Sequence, residues 1–172
     1  MGFTDAIKTC FSKYVTFSGR ARRSEYWYFV LFIVLSSIVF SLIDSAIFGV
    51  PEPTATSQNG PLTSLFNLAI LLPLAAAAWR RMHDTGRPGW FVLIPMLISV
   101  STFVMLMFGV MSFGAMDAAG MGGGALRGIA GLLGATGIMV MMVLQLIVAV
   151  LMLWWLTRPS DPGDNEYGPA PA

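Results

Sequence analysis

The chain has 172 residues, 56% hydrophobic and 11% charged, with ten Lys and Arg against nine Asp and Glu. Soluble domains carry about 25% charge, so this composition, with a mean hydropathy of +0.73, excludes an ordinary water-soluble fold. A net charge of +1 gives no reason to expect nucleic acid as a partner, and a single cysteine, Cys10, excludes an intramolecular disulfide and a thiolate metal cluster.

Residues 3–15 are expected to form an amphipathic helix lying on the membrane. Phe3, Ile7, Cys10, Phe11 and Tyr14 fall at helical spacing on one face, and Asp5, Lys8, Thr9, Ser12 and Lys13 on the other. Its basic charges favour an anionic leaflet by about 1 kcal/mol each. Cys10 reads as a small buried hydrophobe. "MGFTDA" lacks the hydroxyl residue that a myristoylation signal needs. Gly19 then permits a turn, and Ser24 is the expected cap of the next helix.

Charge-free runs at 26–43, 53–79, 88–116 and 128–157 each reach the length of about 20 residues that a bilayer-spanning helix requires. The expected spans are 26–47, 62–79, 90–113 and 129–156, all in one membrane domain covering 1–172. The first run is longer than a signal-peptide core and no small-residue cleavage site follows it, so it reads as an uncleaved anchor. The loop "VPEPTATSQNGP" comes next. Pro73 and Pro95, inside the second and third spans, should each kink a helix, tolerable in lipid where a neighbour satisfies the freed carbonyl. Gly128, Gly131, Gly134 and Gly137 open the fourth span and suit close helix approach. The Gly-rich 114–128 stretch has little pattern, and the tail 158–172 is polar, acidic and irregular.

Lys and Arg in short loops set orientation. With both termini cytoplasmic, nine of the ten basic residues lie inside, because only Arg127 falls in an outer loop. Trp27, Trp79, Trp90, Trp154 and Trp155 all fall at the same ends of the spans, where aromatic rings anchor helices at the headgroups.

Little here suggests catalysis. One His and one Cys cannot make a two-His zinc site, and no nucleophile elbow or phosphate loop is present. No cofactor is expected. His83 and Asp84 are adjacent, so on a helix they point in different directions. Asn67, Thr102 and Gln145 are the polar residues that could line a path through the spans.

The charge that remains is concentrated in Arg20, Arg22, Arg23 and Glu25 before the first span, and in "RRMHDTGRPGW", which holds Arg80, Arg81, His83, Asp84 and Arg87. Arginine offers a planar fork for carboxylate or phosphate. Three uses compete: topology with general attraction to anionic lipid; an internal network with Glu25, Asp84, Asp161, Asp164 and Glu166; and a specific anionic ligand. Within the loop, Arg80 and Arg81 are expected to run past Trp79 into the headgroups. Arg80 is placed to pair with Asp84 four residues on. Gly86 suits a helix end, and Pro88 and Gly89 a turn.

"FSGRARRSEYW", "RRMHDTGRPGW" and "PGDNEYGP", in that order around apolar spans, resemble the small bacterial inner-membrane proteins of the domain of unknown function 805 family. The resemblance implies a bacterial inner (plasma) membrane location and no particular reaction. Its marked positions are Phe17, Gly19, Arg20, Arg22, Arg23, Glu25 and Trp27, then Arg80, Arg81, His83, Asp84, Gly89 and Trp90, then Gly163, Asn165, Tyr167, Gly168 and Pro169.

All three motifs share one side of the membrane, so the tail is expected to dock there, with Asn165 and Tyr167 tied to backbone or Arg partners. The expected fold is all-α: four transmembrane helices and an interfacial N-terminal helix. The expected function is a non-enzymatic scaffold whose Arg-rich collar meets anionic lipid headgroups, a protein partner or a second copy. A small transporter or channel component is the alternative, and a membrane enzyme using His83 and Asp84 a further one.

Overall fold

A computed structural model describes residues 1–49, 59–120 and 124–171. Most of the "VPEPTATSQNGP" loop, part of the Gly-rich stretch and the side chain of Arg127 lie outside the described residues. The chain is all-helical in its long elements: α1 (Phe3–Ser12), α2 (Arg23–Phe48), α3 (Pro61–Asp84), a 3-10 turn (Gly89–Leu93), α4 (Ile94–Ala118) and α5 (Gly124–Thr157). Four stretches, Arg23–Phe48, Pro61–Asp84, Gly89–Ala115 and Gly131–Thr157, are long and apolar enough to cross a membrane. These match the four expected spans. Helix α3 continues beyond Trp79 through Asp84, up to the helix end expected at Gly86. Two compact units emerge, Met1–Phe91 with Leu156–Ala172, and Val92–Trp155.

In the first unit α2 and α3 form an antiparallel hairpin and α1 packs on α2. Phe11 meets Phe29 and Phe32 edge-on, with ring centroids 5.6 and 5.9 Å apart, and Phe3 meets Tyr28. Ala6 and Cys10 form the buried face of α1, while Phe3 and Phe11 stay partly exposed. Ser24 does not cap α2: the helix starts at Arg23, with Arg22 at the cap position.

The start of α3 is capped from outside its own sequence. Gly60 has no side chain to offer, so the first-turn N–H groups need another acceptor. Asp44, one turn from the end of α2, accepts Leu62 N at 3.0 Å, Thr63 N at 2.8 Å and the Thr63 hydroxyl at 2.7 Å. Its negative charge also suits the positive end of the α3 dipole.

Pro73 lies inside α3 and cannot donate to the carbonyl of Ala69, four residues earlier. The Tyr14 hydroxyl, just beyond α1, donates to that carbonyl. The vacancy made by the proline thus ties the N-terminal segment to α3. We expect Tyr14→Phe to cost about 1 kcal/mol, the net worth of one hydrogen bond. In a Pro73→Ala background the cost should fall towards zero, because a backbone N–H then fills the Ala69 carbonyl. A double-mutant cycle on thermal unfolding in detergent reads this directly, and equal costs in both backgrounds would count against it.

The third span changes from 3-10 to α helix immediately before Pro95. The proline sits in the first turn of α4, directly after the 3-10 turn, where no helical donor is lost.

In the second unit α4 and α5 border a groove of about 1240 Å³ whose lining includes Thr102, Phe103, Leu106, Met142 and Gln145. Hydroxyl groups in these helices mostly serve themselves: Ser99, Ser101, Thr102 and Thr136 donate to carbonyls four residues back. Of the glycines opening the fourth span, a side chain at Gly137 would strike Met105, whereas Gly128, Gly131 and Gly134 face open space among the described residues.

Candidate functional site

The last turn of α3, the loop after it, residues 19–25 and the tail come together at one end of the first unit. Arg80, Arg81, Met82 and Asp84 are fully buried there, with Arg20, Glu25, His83 and Thr85 nearly so. This corrects the expectation that Arg80 and Arg81 run out into headgroups. It also corrects the Arg80–Asp84 pairing. Arg80 Nη1 turns to Glu25 at 2.8 Å, and Asp84 receives Arg20 Nε at 3.1 Å and Arg81 Nη1. Continuing α3 past Trp79 places Arg80 on the face towards α2, whose first turn carries Glu25.

Three guanidinium groups and two carboxylates are therefore buried together. Such an arrangement holds only if the remaining polar atoms are satisfied, and main-chain carbonyls do most of this. Arg20 donates to Asp161 O at 2.7 Å, Gly163 O at 2.6 Å and Gly168 O at 3.4 Å. Arg81 donates to Leu156 O at 3.1 Å and to Arg158 O, and Arg80 Nε to Ala76 O at 3.3 Å. Arg80 Nη2 is buried with no hydrogen-bond partner among the described residues.

The tail is latched by more than arginine. Asp161 N donates to Asp84 O at 3.0 Å. The Asn165 side-chain amide donates to His83 O at 2.9 Å, and Asn165 Oδ1 accepts Tyr167 N at 3.0 Å. The Tyr167 ring stacks on His83, centroids 4.0 Å apart and 5° from parallel. His83 Nδ1 lies 3.1 Å from Gly19 O; a carbonyl only accepts, so this nitrogen carries the proton. Arg22 donates twice to Pro171 O, at 3.1 and 2.8 Å. The tail carboxylates form no ion pair with Arg20 or Arg81 among the described residues.

The turn residues have specific reasons to be there. Gly86 takes φ +65°, ending α3, and a side chain at Gly89 would come within 2.0 Å of the Trp79 indole nitrogen. Trp79 packs edge-on to Phe17 at 5.5 Å, and Trp27 donates to Leu156 O at 3.3 Å, so both rings serve internal packing. Trp90 and Trp154 are exposed and Trp155 is half-buried. Arg87 donates to Thr85 O at 2.9 Å; burial, then Arg158, lowers its pKa, and Asp161 opposes this. Arg23 is exposed and stands outside the network, with no hydrogen bond or ion pair among the described residues.

Cys10 lies against this cluster, its sulfur 4.0 Å from Glu25 Oε1. Burial first, and Glu25 second, push its thiol up to about 11, against the lowering influence of Arg80 and Lys13. A thiol so placed is protonated at neutral pH and a poor nucleophile.

Tyr14, Asp44 and the carbonyl partners in the tail were not singled out by sequence. Only Pro73 signalled that a donor was needed at Ala69; the donor itself is set by tertiary contact.

Residues 14–119 match the family model described as protein of unknown function (DUF805). Over 95 residues the chain is 33% identical to the inner membrane protein YhaH of Escherichia coli K12, covering 55% of this chain and 75% of that protein. It is 39% identical to the inner membrane protein YhaI of the same organism, covering 55% of this chain and 74% of that one. No solved structure matches. The matched segment contains both arginine clusters and ends before α5 and the tail. With most of its length matched by the family model, and with relatives covered over three quarters of their own length, the chain belongs to the DUF805 family, a membrane protein family of unknown function.

Proposed function

We propose that the chain is a non-enzymatic inner-membrane protein with both termini in the cytoplasm, acting as a small scaffold that engages anionic lipid headgroups. The observation that carries this reading is a division of labour among its basic residues. Arg20, Arg80 and Arg81 are buried and paired within the chain, whereas Lys8, Lys13 and Arg23 are exposed. The buried set forms a clasp that holds the N-terminal segment, the α2–α3 hairpin and the tail in one arrangement. The exposed set forms the rim available to lipid. Of the arginine collar expected from sequence, Arg23 stays exposed and Arg22 is partly engaged by Pro171, and Lys8 and Lys13 of the N-terminal segment join Arg23 in the exposed set.

The non-enzymatic reading is supported by how the reactive groups are occupied. The His83 ring is held by Gly19 and covered by Tyr167, Asp84 is shared by two arginines, and Cys10 is protonated. A second reading, a small transporter or channel component, draws on Gln145, whose buried Oε1 has no hydrogen-bond partner among the described residues and lies beside the groove of the second unit. The apolar character of that groove favours the scaffold.

The test is native mass spectrometry of the full chain released from phosphatidylglycerol-containing bilayers. Neutralising Lys8, Lys13 and Arg23 to Gln should weaken anionic-lipid retention by roughly fivefold per charge, from about 1 kcal/mol each. Unchanged retention in the triple variant would rule out the rim as the lipid contact.

A further inference from the structure

The half of the α2–α3 hairpin away from the clasp carries a notch of about 350 Å³ where Ser37, Ser41, Asn59, Thr63 and Asn67 meet the apolar Ile38 and Leu42. Most polar side chains in the spans are already satisfied. Thr63 donates to Asp44, and Ser45 and Ser64 donate to carbonyls four residues back. Asn67 differs. Its side chain is exposed on α3 and holds no hydrogen bond among the described residues.

Depth makes this exposure costly. Asn67 is twelve residues before Trp79 on the same helix, about 18 Å along the axis at the helical rise. It is six residues inside Pro61, about 9 Å. Both distances place it within a hydrocarbon core of about 30 Å, where lipid cannot take its hydrogen bonds. Acyl chains offer neither donor nor acceptor, and headgroups lie too far along the helix. A bilayer-embedded group with both would satisfy it.

A carboxamide is complementary to itself, since its N–H donors meet the carbonyl of a second copy and the exchange is reciprocal about a two-fold axis. Ser37 and Ser41, one turn apart on α2, are small enough to let a second helix pair come close. We propose that this face is a homodimer interface within the membrane, in which Asn67 of each copy enters the Ser37–Ser41 notch of the other.

The test uses the full chain in phosphatidylethanolamine–phosphatidylglycerol vesicles, with dimerisation followed by energy transfer across a range of protein-to-lipid ratios. The wild type should dimerise. Asn67→Leu should weaken association by roughly three- to thirtyfold, the range of one interhelical polar contact in lipid. Ser37→Ile fills the notch from the facing helix and should weaken it similarly, so the result does not depend on one variant folding. Oxidation should cross-link Asn67→Cys but not Leu68→Cys, and the wild type, whose Cys10 is buried, supplies the background. A monomeric wild type at every ratio, dimers that survive both substitutions, or equal cross-linking at 67 and 68 would each overturn the proposal.

Discussion

Replacing Asp84 with alanine is expected to destabilise the folded protein by about 3–5 kcal/mol, the cost of leaving a buried charge without its partner. The cost is high because Asp84 serves two arginines. Arg20 approaches one carboxylate oxygen at 3.1 Å and Arg81 the other, and all three side chains are essentially sealed from solvent. Its loss would put two uncompensated guanidinium groups against one surviving carboxylate, Glu25, which is already committed to Arg80. Thermal unfolding in mild detergent should show a large fall in midpoint, or no recoverable folded protein. Asp84→Asn should fall between alanine and wild type, since its amide oxygen can still accept one hydrogen bond. A change below about 1 kcal/mol for Asp84→Ala, the scale of a surface ion pair, would mean that the network is solvated and the burial wrong.

The second large effect is expected at Arg20, and its readout is local. Arg20 touches Asp84 and three tail carbonyls, at Asp161, Gly163 and Gly168, so it connects the buried charge cluster to the tail. Hydrogen bonds to charged groups contribute about 1.5–3 kcal/mol each. Arg20→Ala should therefore release residues 161–171 while α2 and α3 remain folded. Hydrogen exchange and limited proteolysis should find the tail unprotected. Arg20→Lys should not restore protection, because a single ammonium cannot span carboxylate and carbonyls as the guanidinium fork does. Arg23→Ala is the matched control: an exposed arginine outside the network should change stability by less than about 0.5 kcal/mol. Tail protection that survives Arg20→Ala would show that Asn165, the Tyr167–His83 stack and Arg81 suffice to hold it.

Both predictions depend on partners far apart in sequence, and this is where reading the chain alone reached its limit. Placing both arginine clusters and the tail motif on one side of the membrane implied that they would meet. It did not imply who would pair with whom. A four-residue spacing suggested Arg80 with Asp84, an interaction along a single helix. In the folded chain the competitor is Glu25, fifty-five residues away. Asp84 is instead shared by Arg81, one turn back on the same helix, and by Arg20. The helix geometry was sound, but the spacing rule says nothing about burial, and burial selects partners across the fold because each charge taken from water must be neutralised where it lands.

The same contrast runs through the rest of the chain. Sequence by itself determined that there are four apolar helices of membrane-spanning length and that Gly86 would end one of them. These follow from composition, spacing and the backbone freedom of glycine, which are local properties. Tertiary structure alone decided that Asp44 caps α3, that Tyr14 fills the carbonyl left open by Pro73, and that Arg80 and Arg81 point inward, Arg80 onto Glu25 and Arg81 onto the backbone at Leu156 and Arg158. Each of these joins a donor to an acceptor that no local rule connects. In a protein whose helices are almost uniformly apolar, the few polar atoms have few places to be satisfied, and only the packed chain shows which of them they take.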